Sequence, residues 1–150
     1  MPVRWAIAGP GQIATIMAGE FHHAAPEAEL VAIGARPEDD GRAFADQFGL
    51  SLLTYDELFA SDEVDAIYLA TPHAFHTDLA LRAIEAGKPV LIEKAFTTNS
   101  ADTQRIVAAA RARGSFVMEA MWMRFLPAFA KLSELIADGT LGEVRSVQGD

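Results

Sequence analysis

The chain has 150 residues, of which 51% are hydrophobic, and carries 12 Lys and Arg against 21 Asp and Glu for a net charge of −9. This length corresponds to one domain and allows a substantial buried core. The acidic balance argues against a nucleic-acid partner or another extended polyanion, because such partners require a surplus of basic side chains. Binding of a small anion in a local pocket is still compatible with this charge.

The sequence contains no cysteine, which excludes disulfide bonds and thiolate metal sites and fits a reducing compartment. It begins without a cationic leader, and no apolar run approaches the ~18 residues of a membrane-spanning helix. We therefore predict a cytoplasmic protein with no bound metal and no membrane contact.

Apolar runs of four to seven residues alternate with longer stretches of helical period along most of the chain. This alternation predicts an α/β fold, a mostly parallel sheet with helices on both faces. The predicted strands are Arg4–Ala8, Glu29–Ala35, Ser51–Thr54, Asp65–Ala70, Pro89–Ile92 and Phe116–Glu119, with a further strand in Gly142–Asp150. The predicted helices are Gln12–His22, Glu38–Phe48, Tyr55–Ala60, Thr77–Ala86, Ala101–Arg113 and Pro127–Ala137.

The helix ends carry recognisable residues. Gly87, Gly114 and Gly139 each follow a predicted helix, where a left-handed residue is favoured. Ser100 is predicted as the N-cap of the helix that begins at Ala101, because a serine side chain can accept a hydrogen bond from a free N–H of the first turn.

A glycine-rich segment follows the first predicted strand and opens the first predicted helix, and it matches the pattern G-x-G-x-x-G/A. Gly9 allows a tight turn, Gly11 lets the backbone approach a pyrophosphate, and the small Ala14 lets the helix pack on the strand. The pyrophosphate would bind backbone N–H groups at the helix N-terminus, around Gln12 and Ile13. The segment predicts a dinucleotide site; the alternative is a tight turn that binds nothing.

The end of the second predicted strand bears on which dinucleotide binds. In an NAD site, an acidic residue about 20 positions beyond the glycine-rich segment binds the ribose 2′-hydroxyl. That neighbourhood holds Ala35 and Arg36, and a guanidinium can pair with a 2′-phosphate. This favours NADP as the cofactor. NAD is the alternative, in which Arg36 is a solvated loop charge and Asp39 or Asp40 reaches the ribose.

Ligands in an open α/β sheet bind beyond the carboxyl ends of the strands. Thr71, Pro72 and His76 follow the fourth predicted strand, and we predict that they line the cofactor site. For His76, packing at the start of a helix is an equal alternative.

Glu93 and Lys94 follow the fifth predicted strand. Neighbouring side chains in an extended segment point to opposite faces, so Lys94 can reach the cleft while Glu93 anchors elsewhere. A lysine at this position can transfer a proton or hold a substrate hydroxyl by hydrogen bonds. We predict that Lys94 is catalytic and that both residues belong to the cofactor site; the alternative is an exposed charged pair.

Five segments carry motifs that can be compared with known families: Gly9–Ala14, Thr54–Phe59, Ala70–His76, Ala86–Lys94 and Gly142–Val144. Together they resemble the glucose–fructose oxidoreductase, inositol dehydrogenase and MocA (Gfo/Idh/MocA) family of NAD(P)-dependent dehydrogenases, which act on sugars, polyols and related alcohols. The resemblance covers essentially the whole chain. Within the family, Phe116–Pro127 is similar to the dimeric dihydrodiol dehydrogenase branch, whose members use NADP and oxidise trans-dihydrodiols or certain sugars.

The resemblance implies a Rossmann-type doubly wound sheet with strand order 3-2-1-4-5-6 in residues 1–120. It implies that residues 121–150 form a connecting helix and the first strand of a C-terminal domain, otherwise absent here, that binds substrate and forms a homo-oligomer. By position, Lys94 is the lysine that assists proton transfer at the substrate hydroxyl. His76 and Trp122 line the nicotinamide and substrate region, and Arg124 contacts substrate or stabilises the corner between the domains.

Two positions qualify the resemblance. Ala95 replaces the proline that usually follows the lysine, which argues against a cis bond there, since cis bonds before other residues cost ~2.5–4 kcal/mol. For Trp122–Phe125, packing against the rest of the protein is an equal alternative to a substrate role.

The leading prediction is therefore the nucleotide-binding part of an NADP-dependent oxidoreductase that transfers hydride to or from a small alcohol or sugar. Two alternatives stay open: a non-catalytic dinucleotide sensor, and a glycosidase of the same family that uses a tightly held NAD for transient oxidation. We do not expect turnover from the 150 residues alone.

Overall fold

The computed structural model describes residues 1–24 and 27–148 of the chain. Within them, the strands are β1 Val3–Ala8, β2 Ala28–Gly34, β3 Ser51–Leu53, β4 Ala66–Leu69, β5 Val90–Ile92 and β6 Val117–Glu119. The helices are α1 Gln12–Ala24, α2 Gly41–Phe48, α3 Tyr55–Ala60, α4 His76–Glu85, α5 Ser100–Arg113 and α6 Pro127–Ala137. Two short 3₁₀ turns, His73–Phe75 and Trp122–Phe125, were not predicted.

The strands form one sheet in the order β3-β2-β1-β4-β5-β6. Every neighbouring pair is parallel, which confirms the doubly wound fold and the predicted strand order. Because β1 lies between β2 and β4, the connection after β1 leads to one side of the sheet and the connection after β4 leads to the other. A crevice opens at such a point of reversal. Ala8 at the end of β1 pairs with Leu69 at the end of β4, so this crevice lies between the segments that follow these two strands.

Helices cover both faces of the sheet because the strands are apolar on both. One face buries side chains of α3, α4 and α5, and the other buries side chains of α1 and α2. Successive side chains of β4 point to opposite faces: Ile67 packs on the face of α3, α4 and α5, and Tyr68 packs on the face of α1 and α2. Burying one large aliphatic side chain such as Ile67 contributes about 1.5–3 kcal/mol to folding, so the two layers together hold the sheet edge that carries the predicted site residues.

The bounds of α1, α2, α4 and α5 differ from prediction by one to three residues, most at α2, which begins at Gly41 and not at Glu38. One capping residue also differs. The N-cap of α5 is Asn99 and not Ser100: the Asn99 side chain accepts the N–H of Asp102 at 2.9 Å. The reason is that Asn99 is still extended, with φ −160° and ψ 163°, whereas Ser100 is already the first residue of the helix. The left-handed conformation predicted for Gly87, Gly114 and Gly139 is confirmed.

The described chain divides into two compact units, Met1–Ala120 and Met121–Asp150. The second unit contains the Trp122–Phe125 turn and α6. The strand predicted for Gly142–Asp150 is wrong for residues 143–148, which form no regular element; Gly149 and Asp150 lie outside the described residues. An isolated strand leaves its N–H and C=O groups without partners, so sequence alternation alone does not form one.

The longest helix of the described chain is α5, with 14 residues. None of the helices found there combines the length and apolar composition needed to cross a bilayer. Within the same residues, no three His, Asp or Glu side chains come together in a way that could hold a metal ion.

Candidate functional site

The turn between β1 and α1 is constrained by the segment that follows β4. Gly9 has φ +97°, a conformation that only glycine adopts readily. A Cβ atom on Gly9 would lie 2.9 Å from Cγ2 of Thr71 and 3.2 Å from the carbonyl oxygen of Ala70. A Cβ on Gly11 would meet the Ala70 carbonyl oxygen at an ordinary 3.7 Å. The fold therefore requires glycine at position 9, whereas at position 11 the missing side chain keeps the crevice open.

The first turn of α1 presents free backbone donors. The first N–H groups of a helix have no partner within the helix, and at Gln12 and Ile13 the side chains are exposed. No acidic side chain occupies this turn, so the positive end of the helix dipole is not neutralised. Ala14 is fully buried and packs α1 on the sheet. The turn has the properties of an anion site at a helix N-terminus.

A cleft of about 260 Å³ is lined in part by the Gly9–Gly11 turn. It brings together residues that the sequence placed separately at the ends of β1, β2 and β4. The hydroxyl oxygen of Thr71 is buried there and has no hydrogen-bond partner within the described residues. The lining residues are Gly9, Pro10, Gly11, Arg36, Asp39, Asp40, Tyr55, Ala70, Thr71, Pro72 and Phe75. The glycine turn, the free N–H groups and the unpaired hydroxyl fit a phosphate-bearing dinucleotide.

Arg36, which follows β2, is held in place by Asp39. Its Nε and Nη2 donate to the two carboxylate oxygens of Asp39 at 3.0 and 2.8 Å, and its backbone N–H donates at 3.1 Å. These hydrogen bonds hold the pKa of the Asp39 carboxyl below its ordinary value. The guanidinium carbon lies 5.2 Å from the centre of the Phe75 ring, so the charge faces the cleft.

His76 does not line the cleft. Its side chain is fully buried, and both ring nitrogens lie against main-chain carbonyl oxygens. Nε2 is 2.8 Å from the oxygen of Thr71, and Nδ1 is 3.1 Å from that of Ala95 and 3.2 Å from that of Phe96. This geometry supports the packing alternative stated for His76 and joins the segments after β4 and β5.

Glu93 is buried and anchors the residue that follows it. Oε1 accepts the hydroxyl of Tyr68 at 2.6 Å, and Oε2 accepts the backbone N–H of Lys94 at 3.0 Å. Burial, together with the hydrogen bond to Glu93, raises the pKa of the Tyr68 hydroxyl. Tyr68 and Glu93 thus form a buried polar pair beneath the cleft edge, which agrees with an anchoring role for Glu93.

Lys94 has a fixed backbone and an exposed side chain. Its N–H is bound by Glu93, and its carbonyl oxygen accepts Nε2–H of His73 at 3.0 Å. Within the described part of the chain, its amino group makes no hydrogen bond or ion pair, and the side chain is exposed.

The peptide bond between Lys94 and Ala95 is cis, which corrects the sequence-based argument against such a bond. Main-chain groups on both sides of it are bound to side chains of other segments. The carbonyl of Ala95 lies against His76, and the N–H of Phe96 donates to the carboxylate of Glu119 at 2.8 Å. Sequence reasoning from the missing proline alone did not include these contacts.

Trp122 and Arg124 belong to the second unit. The Trp122 side chain is 64% exposed, and Arg124 is also exposed. Their predicted substrate contacts stay predictions.

Sequence reasoning missed Tyr68 and Glu119 as supports of the Lys94 segment. A signal existed for Tyr68, because a hydroxyl in the otherwise apolar run Ala66–Leu69 needs a buried partner. The carboxylate of Glu93 was the nearest candidate across the parallel pair β4–β5.

Comparison with known proteins agrees with this geometry. Residues 3–121 match the family model described as "Oxidoreductase family, NAD-binding Rossmann fold", GFO_IDH_MocA. Trans-1,2-dihydrobenzene-1,2-diol dehydrogenase of Mus musculus is 35% identical over 153 residues, covering 100% of this chain and 46% of its own. The 3-ketoreductase KijD10 of Actinomadura kijaniata, solved with NADP and TDP-benzene, has a TM-score of 0.85 and 34% identity, over 97% of this chain and 45% of its own.

An NAD-binding oxidoreductase of Klebsiella pneumoniae has a TM-score of 0.86 at 26% identity, over 95% of this chain and 40% of its own. The chain thus spans about half the length of the curated relatives it matches. It belongs to the Gfo/Idh/MocA oxidoreductase family, and Met1–Ala120 contains the NAD(P)-binding Rossmann fold of that family.

Proposed function

We propose that this chain is the nucleotide-binding part of an NADP-dependent oxidoreductase that transfers hydride between the nicotinamide ring and an alcohol carbon of a sugar, polyol or trans-dihydrodiol. The observation that carries the proposal is one cleft lined both by the Gly9–Gly11 turn, which leads into α1, and by Arg36. Relatives named as a dihydrodiol dehydrogenase and as an NADP-dependent D-xylose 1-dehydrogenase support this substrate class.

The nucleotide is held by backbone and by one cation. The N–H groups of Gln12, Ile13 and Ala14 bind the pyrophosphate, and the bare backbone at Gly9 and Gly11 lets it approach. Arg36 binds the 2′-phosphate through N–H groups that its bonds to Asp39 and Glu38 leave available, since a guanidinium has five donors. Thr71 offers its buried hydroxyl, and Pro72 closes the same wall.

Lys94 acts on the substrate hydroxyl. A bound nicotinamide supplies or accepts the hydride, so the protein must hold or move only the hydroxyl proton. The amino group of Lys94 is exposed while its backbone is fixed by Glu93 and His73, and a positioned side chain of this kind can transfer a proton at the alcohol oxygen. His76 and Glu93 act as positioning residues for this segment.

Residues outside Met1–Ala120 complete such an enzyme. The relatives are about twice as long as this chain. We therefore assign the alcohol substrate and the contacts of a homo-oligomer to further chain of the complete protein, with Trp122 and Arg124 near the substrate. Neither nucleic acid nor membrane takes part in this function, which we place in the cytoplasm.

Nucleotide titration tests the cofactor assignment. We expect the chain to bind NADPH more tightly than NADH. Arg36→Ala should lower the affinity for NADPH by about tenfold or more, because a hydrogen bond to a charged group contributes about 1.5–3 kcal/mol. Affinity is measured by nicotinamide fluorescence. Arg42→Ala is the matched control, because Arg42 is exposed on α2 and does not line the cleft. Tighter binding of NADH than of NADPH by the unchanged chain would reverse the cofactor assignment.

Substitution of Lys94 tests the chemistry in the complete protein. Lys94→Met should abolish turnover of the alcohol, and NADPH affinity is measured beside it so that a loss of cofactor binding is recognised. Release of an oxidised product with stoichiometric NADPH separates a dehydrogenase from a sensor and from a glycosidase that re-reduces its cofactor. Full turnover by the Met variant would rule out the catalytic role of Lys94.

A further inference from the structure

We propose that Asp39 is a specificity-determining residue that limits the preference of the site for the phosphorylated nucleotide. The proposal rests on the proposed function and extends it, since it concerns the ribose end of the same cleft. Asp39 follows β2 by five residues in a turn, and the sequence named it only as an alternative ribose ligand in an NAD site.

The Asp39 carboxylate occupies N–H donors of Arg36 that a 2′-phosphate would use. Both of its oxygens accept hydrogen bonds from the Nε and Nη2 side of the Arg36 guanidinium. This is the bidentate arrangement in which arginine also binds phosphate. The Asp39 side chain is only 21% exposed, and both residues line the cleft. A 2′-phosphate must therefore displace Asp39 from this edge of Arg36 or bind at the remaining donors beside it.

The local charge makes this competition costly. Glu38 lies 3.3 Å from Nη1 of Arg36, and Asp40 lines the same cleft. One guanidinium thus contacts the carboxylates of Glu38 and Asp39, and a third acidic residue, Asp40, lines the same cleft. The hydrogen bonds from Arg36 lower the pKa of Asp39, so this carboxylate is ionised at neutral pH. A phosphate monoester carries about −1.5 to −2 charges at that pH, and Asp39 repels it at close range.

Asp39 repels a 2′-phosphate but can attract the 2′-hydroxyl of an unphosphorylated ribose. A 2′-hydroxyl can donate to a carboxylate oxygen, as it does in sites that bind NAD. Asp39 has spare acceptor capacity for such a donor, because each carboxylate oxygen has more than one lone pair. Arg36 and Asp39 therefore present a phosphate-binding group and a ribose-binding group at one point. Asp39 keeps the affinity for NADPH close to the affinity for NADH.

The variant Asp39→Asn separates charge from geometry. Asparagine keeps the size and one acceptor oxygen for Arg36 but removes the negative charge. We expect the ratio of NADPH to NADH affinity to rise roughly tenfold, the effect of removing one charge about 6 Å from a doubly charged phosphate in a water-like medium. Asp46→Asn is the matched control: it makes the same change on α2 at an exposed position outside the cleft, and should leave the ratio unchanged.

The experiment uses the full chain, titrated by calorimetry with NADPH and NADH and, to isolate the ribose end, with adenosine 2′,5′-bisphosphate and 5′-AMP. The proposal holds if Asp39→Asn tightens the two 2′-phosphorylated ligands relative to their counterparts. An unchanged ratio, or weaker binding of the phosphorylated ligands, overturns it, and weaker binding would show that Asp39 serves to orient Arg36. If the unchanged chain binds none of the four ligands, the proposed function fails and this inference fails with it.

Discussion

The segment after β2 (the β2 side) and the region around the ends of β4 and β5 (the β4–β5 side) are built in different ways. On the β2 side, Arg36 and Asp39 form an ion pair at the surface, with the Arg36 side chain 41% exposed. On the β4–β5 side, Tyr68, His76 and Glu93 are buried and hydrogen-bonded to each other or to main-chain groups. Solvent screens the charges of the β2 side, whereas the polar groups of the β4–β5 side are buried away from it.

This difference separates ligand selection from rigidity. Exposed ion pairs typically contribute at most about 1 kcal/mol to stability, so the β2 side can change its charge without unfolding the protein. A buried polar group left without a partner costs about 1–3 kcal/mol, so the β4–β5 side must keep all of its contacts. The side that we propose to select the nucleotide is thus adjustable, and the side that carries Lys94 is fixed.

The largest effect is expected from His76→Leu. The substitution removes the ring that lies against the carbonyl oxygens of Thr71 and Ala95. At least one of these oxygens loses its N–H donor, and the free energy of unfolding should fall by up to about 3 kcal/mol. Urea denaturation measures the loss. His73→Leu is the matched control, because His73 is exposed and makes one hydrogen bond to Lys94; its cost should stay below about 1 kcal/mol. Equal losses in both variants would remove the distinction between buried and exposed contacts on this side.

A smaller effect is expected from Tyr68→Phe, and it depends on pH. The folded pKa of Tyr68 lies above its ordinary value of about 10. Between these two values the unfolded chain loses the phenolic proton and the folded chain keeps it. The stabilisation is therefore complete below pH 10 and is lost as the pH rises further, at up to about 1.4 kcal/mol per pH unit.

Denaturation of the unchanged chain and of Tyr68→Phe between about pH 8 and 11 measures this loss. At neutral pH the variant should be less stable by about 1–2 kcal/mol, because Glu93 loses a donor. Above pH 10 the gap should narrow, since the variant has no hydroxyl to titrate. A gap that stays constant with pH would contradict the buried hydrogen bond.

The smallest effect on stability is expected from Arg36→Ala on the β2 side. The free energy of unfolding should change by less than about 1 kcal/mol, although the same variant should lose affinity for NADPH. Urea denaturation of the variant beside the unchanged chain is the measurement. A loss comparable to that of His76→Leu would show that the β2 side is also a structural support.

The parts of the molecule that depend on local pattern were predictable from sequence. The run Ala66–Leu69 is entirely apolar apart from one hydroxyl, and it forms a fully buried strand as expected. The spacing of Gly9 and Gly11 predicted the turn after β1, because the conformation there is set by residues within the turn. Arg36 and Thr71 follow β2 and β4, the strands on either side of β1, and the prediction that both belong to the cofactor site is consistent with their sharing one cleft.

The contacts that depend on register and side-chain direction were not predictable. Tyr68 meets Glu93 because β4 and β5 pair with Leu69 opposite Ile92, and no local pattern specifies that register. The direction of the His76 ring depends on where the carbonyls after β5 lie. The pairing of Asp39 with Arg36 depends on a turn between β2 and α2 that has no sequence signature.

Thr71 connects the turn after β1 to the segment after β5. Its methyl group occupies the space that any side chain on Gly9 would need, and its carbonyl oxygen faces the ring of His76, whose other nitrogen reaches the carbonyl of Ala95. The path from the Gly9 turn to Ala95 therefore runs through residue Thr71 and the ring of His76. The turn after β1 and the segment that carries Lys94 are thus held by the same two residues.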